Sequence, residues 1–243
     1  MRTWQRALML PFCGRDATYD YTAKVDALSP IAHWPLAEAS GTTALDASGN
    51  GRTGTYTAVV LGASGIGDGR TAATFDGTTS KANMIGASLA AAFSGAAGTL
   101  NLWASVSSAG VWSDATNRYA FELNVDAQNR LSILRSTSNG VMTLAYRAGN
   151  TNKQVNTAAQ SSLAYLMYTI SWSAAADQVK VYLQGAQIGT TQTGLGVWVG
   201  APAVAVCGAQ TLTPAAVWSG NIAHVALWTT ALSAAQIATL AVV

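Results

Sequence analysis

Charge is what this sequence has least of. Only 10% of its residues are Asp, Glu, Lys or Arg, against about 25% in an ordinary soluble domain. The 13 basic and 11 acidic residues nearly cancel, to a net +2. The basic ones are scattered, with no run and no stripe, which removes nucleic acid from the expected partners. Disordered segments combine high charge with few apolar residues. Here half of the 243 residues are hydrophobic, enough for a sizeable core. So little charge also suggests that part of the surface is covered by partners, or is rich in glycine and threonine and weakly hydrated.

Other scarcities exclude chemistry. His33 and His224 are the only histidines, and no Gly-x-Ser-x-Gly elbow accompanies them, so nucleophilic catalysis has no support. A zinc site built on that pair would need further ligands. The two cysteines, Cys13 and Cys207, fit no metal spacing. They read as buried or unpaired thiols, with a disulfide tying the N-terminal arm to the body as the minority alternative. Glycoside cleavage needs two carboxyl groups about 5–9 Å apart. The chain has two glutamates, Glu38 and Glu122. Glu122 and Asp126 are four apart near a strand end, nothing else joins them, and they read as a solvated edge. No catalytic residue is assigned. Gly65-Ile66-Gly67-Asp68-Gly69 lacks the Lys and helix of a phosphate loop. No apolar run approaches the ~18 residues of a membrane span, so no membrane insertion is expected.

What is present is β patterning. Short apolar-polar alternations recur at Gly98 to Val106, Tyr119 to Val125, Arg130 to Ser136, Val141 to Arg147 and Tyr165 to Trp172, with turn residues between them. A hairpin follows at Val179 to Gly189. Further strands are expected at Ile31 to Leu36, Gly54 to Leu61, Thr71 to Phe75 and Ser80 to Ile85, one or two short ones from Gly194 to Cys207 around Pro202, and a last one at Ser219 to Trp228. The segment Ala148 to Ser162 is polar and loop-like. Ser233 with Gln236 forms a capping box opening a short C-terminal helix. This pattern predicts an antiparallel sandwich. Residues 28–243 form one domain, without an internal repeat. Residues 1–27 read as an ordered N-terminal arm. Its start is basic and then apolar, but Pro11 breaks the run and Phe12 stands where a lipoprotein signal wants a small residue. Trp4, Leu8, Leu10 and Phe12 are its anchors. It either covers a sheet edge or docks on a neighbouring subunit.

The stretch Trp34 to Tyr56 holds Glu38, Asp46 and the turn Ser48-Gly49-Asn50-Gly51. Asp46 stands where its carboxylate can bond turn N–H groups or face a cation. With Pro30 to Leu36 before it, the Asp76-Gly77 turn after Phe75, and the ending Gly220-Asn221-Ile222 to Trp228 followed by Ala231-Leu232-Ser233, this stretch resembles the laminin-G-like domains of the concanavalin A-like group. The resemblance runs from about Leu28 to Leu240. It implies an all-β, antiparallel, two-sheet jelly roll with its first and last strands side by side. It implies glycan or protein ligands, often with Ca²⁺, and ligand positions at Glu38, Asp46 and the backbone around Asn50. The closing strand departs from the family pattern: Ala223-His224 follows Ile222 where Asp-Glu is usual. Ca²⁺ takes six to eight oxygens, so this chain has one carboxylate fewer to offer. The alternative is that Asp46 caps its turn and that the His224 ring packs or hydrogen-bonds between the terminal strands.

Eight Trp and eight Tyr serve either a core or sugar stacking. Trp34, Trp103, Trp172 and Trp228 fall in strands. Trp112 falls in an expected loop beside Asp114, Asn117 and Tyr119, the mixture of apolar face and polar groups that a glycan site needs. Trp198 and Trp218 compete for that role. The expected function is a non-enzymatic virion structural protein of a bacteriophage, on a capsid or tail surface. It would associate with itself or other virion proteins through the arm, and bind host-surface glycans. The alternative is a secreted or cell-surface polysaccharide-binding module. A lyase or hydrolase of the same fold is the weaker option.

Overall fold

The computed structural model describes residues 21–137 and 140–243. The elements in order are α1 (Tyr21–Asp26), β1 (Ala32–Trp34), β2 (Thr43–Ala44), β3 (Gly54–Thr57), β4 (Val60–Ser64), β5 (Thr71–Asp76), β6 (Lys81–Asn83) and α2 (Ala87–Ala92). Then come β7 (Ala97–Val106), α3 (Gly110–Ser113), β8 (Arg118–Asn124), β9 (Arg130–Arg135), β10 (Met142–Ala148) and β11 (Thr151–Asn156). The chain finishes with β12 (Leu166–Ser173), β13 (Gln178–Leu183), β14 (Ala186–Gln192), β15 (Val204–Cys207), β16 (Ser219–Trp228) and α4 (Ala234–Leu240).

The strands form two antiparallel eight-stranded sheets, as the alternation and the resemblance both imply. The first runs β14-β13-β12-β7-β16-β5-β4, with β1 also on β16. The second runs β11-β10-β9-β8-β15-β6-β3-β2. The first and last strands are neighbours, with His33 opposite Ala226 and Trp34 opposite Val225. Between the sheets lie the alternate residues that the period of two selects: Phe121 and Leu123 from β8, Leu131 and Ile133 from β9, Leu144 and Tyr146 from β10. Trp34, Trp172 and Trp218 fill the centre. The first sheet is buried on its other face too. There Trp103, Met167, Tyr182 and Trp228 meet Tyr21 and Val25 of α1 and Ile237 and Leu240 of α4. That second layer explains why β7 and β12 are buried on both faces.

Local chemistry fixes the ends. Ser233 Oγ accepts from the Gln236 N–H and the Gln236 side chain accepts from the Ser233 N–H, closing the capping box that starts α4. At the Asp76-Gly77 turn, Asp76 Oδ1 accepts from the Thr78 and Thr79 N–H groups at 2.8 Å and the Ser80 N–H at 3.0 Å. Gly77 supplies the φ of +80° that reverses the chain.

Three segments differ from expectation. The single strand expected over Gly54 to Leu61 breaks at Ala58, whose φ is +53°. β3 joins the second sheet and β4 crosses to the first. The polar segment Ala148 to Ser162, expected as loop, contains β11. It is an edge strand with Val155 as its one buried residue, so it carries no alternation to detect. Of the one or two strands expected from Gly194 to Cys207, β15 forms, and the chain before it crosses from the first sheet to the second. Inside the expected arm, α1 is a helix docked on the first sheet. The anchors Trp4, Leu8, Leu10 and Phe12, and Cys13, lie outside the described residues. Cys207 is a free, buried thiol, and burial raises its pKa far above the usual range. Among the described residues, no helix is long and apolar enough to cross a membrane.

Candidate functional site

The expected glycan residues do not form one surface. Trp112 sits on α3 rather than in a loop. It is 5% exposed, belongs to the core, and its indole N–H donates to the Ser162 carbonyl at 2.9 Å. Its ring is therefore core packing and offers no open face to a sugar. Asp114 is held between two guanidinium groups. Arg118 Nη2 is 2.7 Å from its Oδ2, and Arg135, fully buried, reaches its Oδ1. Burial would raise the Asp114 carboxyl, but these arginines and the Thr116 N–H hold it below the usual carboxylate range. Asn117 accepts the Thr137 N–H at 3.0 Å. Of the four, Asn117 is exposed, whereas Tyr119 is buried with its hydroxyl against Arg130 and Gln210. The competing Trp218 is fully buried. Trp198, half-buried, packs 5.3 Å from Phe93 and 5.8 Å from Tyr146, ring centre to ring centre.

The expected Ca²⁺ positions are occupied by the chain itself. Asp46 Oδ1 accepts from the His33 and Ser48 N–H groups, both at 3.0 Å, and Oδ2 from the Arg52 N–H at 2.8 Å. Burial opposes ionisation of Asp46, yet those N–H groups lower its pKa. Glu38 accepts from the Leu45 N–H and the Tyr56 hydroxyl, each at 2.7 Å. The Asn50 amide donates to the Pro30 and Ile31 carbonyls at 3.2 Å, and the Arg52 guanidinium also reaches Ile31. A cation would have to displace all of these donors. Among the described residues, no group of three or more His, Cys, Asp or Glu side chains is placed to hold a metal ion. Asp46 is a turn cap, the alternative its position allowed.

The polar cluster that the fold does build lies on the outer face of the second sheet. A bulge in β8 creates it. Tyr119 pairs with Leu134 and Phe121 with Ile133, so the register slips at Ala120. One extra residue lets Tyr119 and Glu122, at odd and even positions, share one face. Arg130 of β9 ties them together. Its Nη2 donates to the Tyr119 hydroxyl at 3.2 Å and its Nε lies 3.6 Å from Glu122 Oε1. Gln210 donates to the same hydroxyl at 3.2 Å. Glu122 also accepts from Ser132 Oγ, and from Asn124 Nδ2 at 3.1 Å. Glu122 was expected on a solvated edge; it lies mid-sheet, 1% exposed. Burial pushes its carboxyl up to about 7, against the pull of Arg130, Ser132 and Asn124.

Across the sheet the same row continues through Ser132 and Ala145 to Gln154. The next row runs from Asn124 through Arg130 and Arg147 to Asn152. Ser132 and Ala145, both small and buried, lie between longer polar side chains. Arg147 Nε is buried without a hydrogen-bond partner, and an orphan donor of that kind calls for an acceptor. The arrangement suits recognition of hydroxyl groups by guanidinium and amide donors. Two-carboxyl hydrolysis needs more than Glu122. Its partners are Ser132, Asn124 and Arg130, and Asp126 instead caps the β8–β9 turn through the Gln128 and Asn129 N–H groups at 2.8 Å.

A family profile described as the concanavalin A-like lectin/glucanases superfamily, of laminin G type, matches residues 76–238. That is more than half of the chain, and the chain belongs to this family. Among solved structures it is similar to domain 4 of AbnA, an extracellular arabinanase from Geobacillus stearothermophilus, in complex with arabinotriose. The TM-score is 0.61 at 19% identity, over 88% of this chain and 98% of that one. It is also similar to the Trypanosoma rangeli sialidase in complex with sialic acid, with TM-score 0.65, 13% identity, and 88% and 33% covered. The ligand binding domain of botulinum neurotoxin serotype D, in complex with N-acetylneuraminic acid, gives 0.65, 13%, and 91% and 52%. The chain thus spans about half of that toxin domain and a third of the sialidase. At such identities the likeness establishes the fold. No curated protein sequence matches the chain.

Proposed function

We propose that this chain is a non-catalytic, glycan-binding jelly-roll module. Its site is the outer face of the second sheet, centred on Arg130. The observation that carries this reading is the Tyr119–Arg130–Glu122 bridge beside the unpartnered Arg147 Nε. Fixed donors beside the small Ser132 and Ala145 suit sugar hydroxyls, and preorganisation lowers the ordering cost of binding. The family, and structural neighbours solved with arabinotriose and N-acetylneuraminic acid, support a saccharide as the ligand class. A single buried carboxyl group supports binding over cleavage.

The setting proposed for the module is the surface of a bacteriophage virion. The low charge and the apolar residues Trp4, Leu8, Leu10 and Phe12 support a subunit that docks on a larger assembly. A glycan array with the full chain tests the ligand class: retention of defined oligosaccharides without release of new reducing ends is the expected result. Cleavage of a retained glycan would overturn the non-catalytic reading. Sedimentation tests the setting. A lone monomer whose arm is readily clipped by protease would contradict docking through residues 1–27.

A further inference from the structure

The only two histidines meet inside the protein, in a chain of four groups. Asp26 Oδ1 lies 2.9 Å from His33 Nδ1. His33 Nε2 lies 3.3 Å from His224 Nδ1. His224 Nε2 lies 2.8 Å from Asp68 Oδ2. Both rings are 0% exposed. The chain joins the neighbouring α1 and β1 to β16 and the β4–β5 connection, which are distant in sequence.

The backbone is bent to make this contact. His224 holds a φ of +51°, in the left-handed region that a residue with a side chain rarely enters. The β16–β7 register breaks between Ala223 and Ala226, and the His224 N–H is diverted to the Pro35 carbonyl at 3.1 Å. Strain of this kind persists where surrounding contacts impose it, and marks a place to look for function.

Counting hydrogens shows what the chain requires. An ionised carboxylate only accepts. Asp26 therefore needs N–H on His33 Nδ1, and Asp68 needs N–H on His224 Nε2. A neutral imidazole carries one N–H. With both rings neutral, His33 Nε2 and His224 Nδ1 would face each other as two buried acceptors. A third proton turns that contact into a hydrogen bond. We infer that the His33–His224 pair holds one shared proton, as an imidazole–imidazolium pair clamped between the Asp26 and Asp68 carboxylates. Two carboxylates and one imidazolium leave the four groups with a net charge of −1.

The surroundings fit one such proton and not two. From α1, the edge of the Tyr21 ring meets His224 at 4.6 Å between centres, and its hydroxyl, which burial keeps neutral, accepts from Asn101. From the β4–β5 connection come Asp68, its side chain 1% exposed, and Arg70. From the β2–β3 connection, Asp46 takes the His33 backbone N–H, and Arg52 reaches Ile31. Burial, the facing His33 ring and Arg70 lower the His224 pKa, against the pull of Asp68. His224 is then the neutral member of the pair. For Asp68, burial acts upward but the His224 bond and Arg70 hold the carboxyl down.

The consequence is a proton-loaded clamp that fastens α1 to the closing strand. Proton loss sets two lone pairs against each other and frees the Asp26 end. The clamp is lost when rising pH removes the shared proton. A second proton is opposed because the His224 pKa lies below 6.5 in the folded state, so stability also falls as pH drops below that value. The test is a long-range ¹H–¹⁵N correlation of the imidazole nitrogens in the wild-type full chain at pH 7, where two histidines make assignment direct. One ring protonated on both nitrogens and one carrying hydrogen on Nε2 alone is the expected pattern. Two neutral rings at pH 7 would overturn the inference. Raising the pH until the imidazolium signal disappears should lower the amide protection factors of Tyr21–Asp26; unchanged protection there would remove the clamp role.

Discussion

Arg130 Nε lies 3.6 Å from Glu122 Oε1, above the middle strands of the second sheet, with the carboxylate buried and the guanidinium partly open to solvent. That contact does not keep the acid ionised at low pH. Burial outweighs it, and the carboxyl stands at about 7 instead of 4.5. A raised carboxyl favours the folded state when protonated. Its contribution is complete below the unfolded value and is lost as pH climbs from about 4.5 to about 7. Glu122→Gln should therefore match wild type near pH 5 and exceed it at pH 8 by on the order of 3 kcal/mol, at about 1.36 kcal/mol per pK unit. Chemical denaturation of both proteins at the two pH values checks this, and an equal difference at both would contradict it.

Calcium should leave the protein unchanged. Glu38 and Asp46 already accept five N–H or O–H donors between them. The melting temperature should be the same in Ca²⁺ and in chelator, by scanning calorimetry. A rise with Ca²⁺ would show that those donors yield to a cation.

The Asp76 turn should be a local weak point. Its carboxylate gathers three backbone N–H groups and the Thr79 and Ser80 hydroxyls, and although burial opposes it, those bonds hold the pKa far below the usual range. Asp76→Ala should cost about 1.5–3 kcal/mol, the scale of hydrogen bonds to a charged group. Asp76→Asn should recover part of it, because one acceptor oxygen remains. Denaturant midpoints of the three proteins decide the order.

Much of the sandwich is legible in the residues because its inner face follows the period of two. Phe121 and Leu123, or Leu131 and Ile133, can point one way only if Glu122 and Ser132 point the other. The resemblance adds the pairing of the terminal strands. What stays hidden is whatever breaks the period. The bulge at Ala120 moves Tyr119 onto the Glu122 face, and no residue type announces it. β11 is polar throughout apart from Val155, so its place at the sheet edge is set by β10. Trp112 misleads because a tryptophan among Ser, Asp and Asn reads as a loop, while the short helix α3 turns its ring inward. The histidine contact is legible as a possibility, since both residues fall on terminal strands. Asp26 and Asp68 come from segments without regular pattern, and only the fold brings them in.

Gly208 should tolerate no side chain. Its φ is +79°, and an added Cβ would lie 2.0 Å from the Phe75 ring, in the core. Backbone strain and overpacking add here, so Gly208→Ala should lose about 2–4 kcal/mol. Thermal denaturation measures it; a loss within about 0.5 kcal/mol, the range of a neutral surface change, would mean that the turn and the ring are less constrained than the structure has them.

Arg130 is the proposed centre of the saccharide-binding face. Isothermal titration of an array-selected oligosaccharide into wild type and Arg130→Met measures it. Methionine keeps much of the apolar stem and removes the guanidinium. Truncating a charged partner of ligand hydrogen bonds costs about 1.5–3 kcal/mol, so affinity should fall about 10- to 150-fold, with the melting temperature little changed. Unchanged affinity in a folded Arg130→Met protein would place the ligand elsewhere on the molecule and contradict the account.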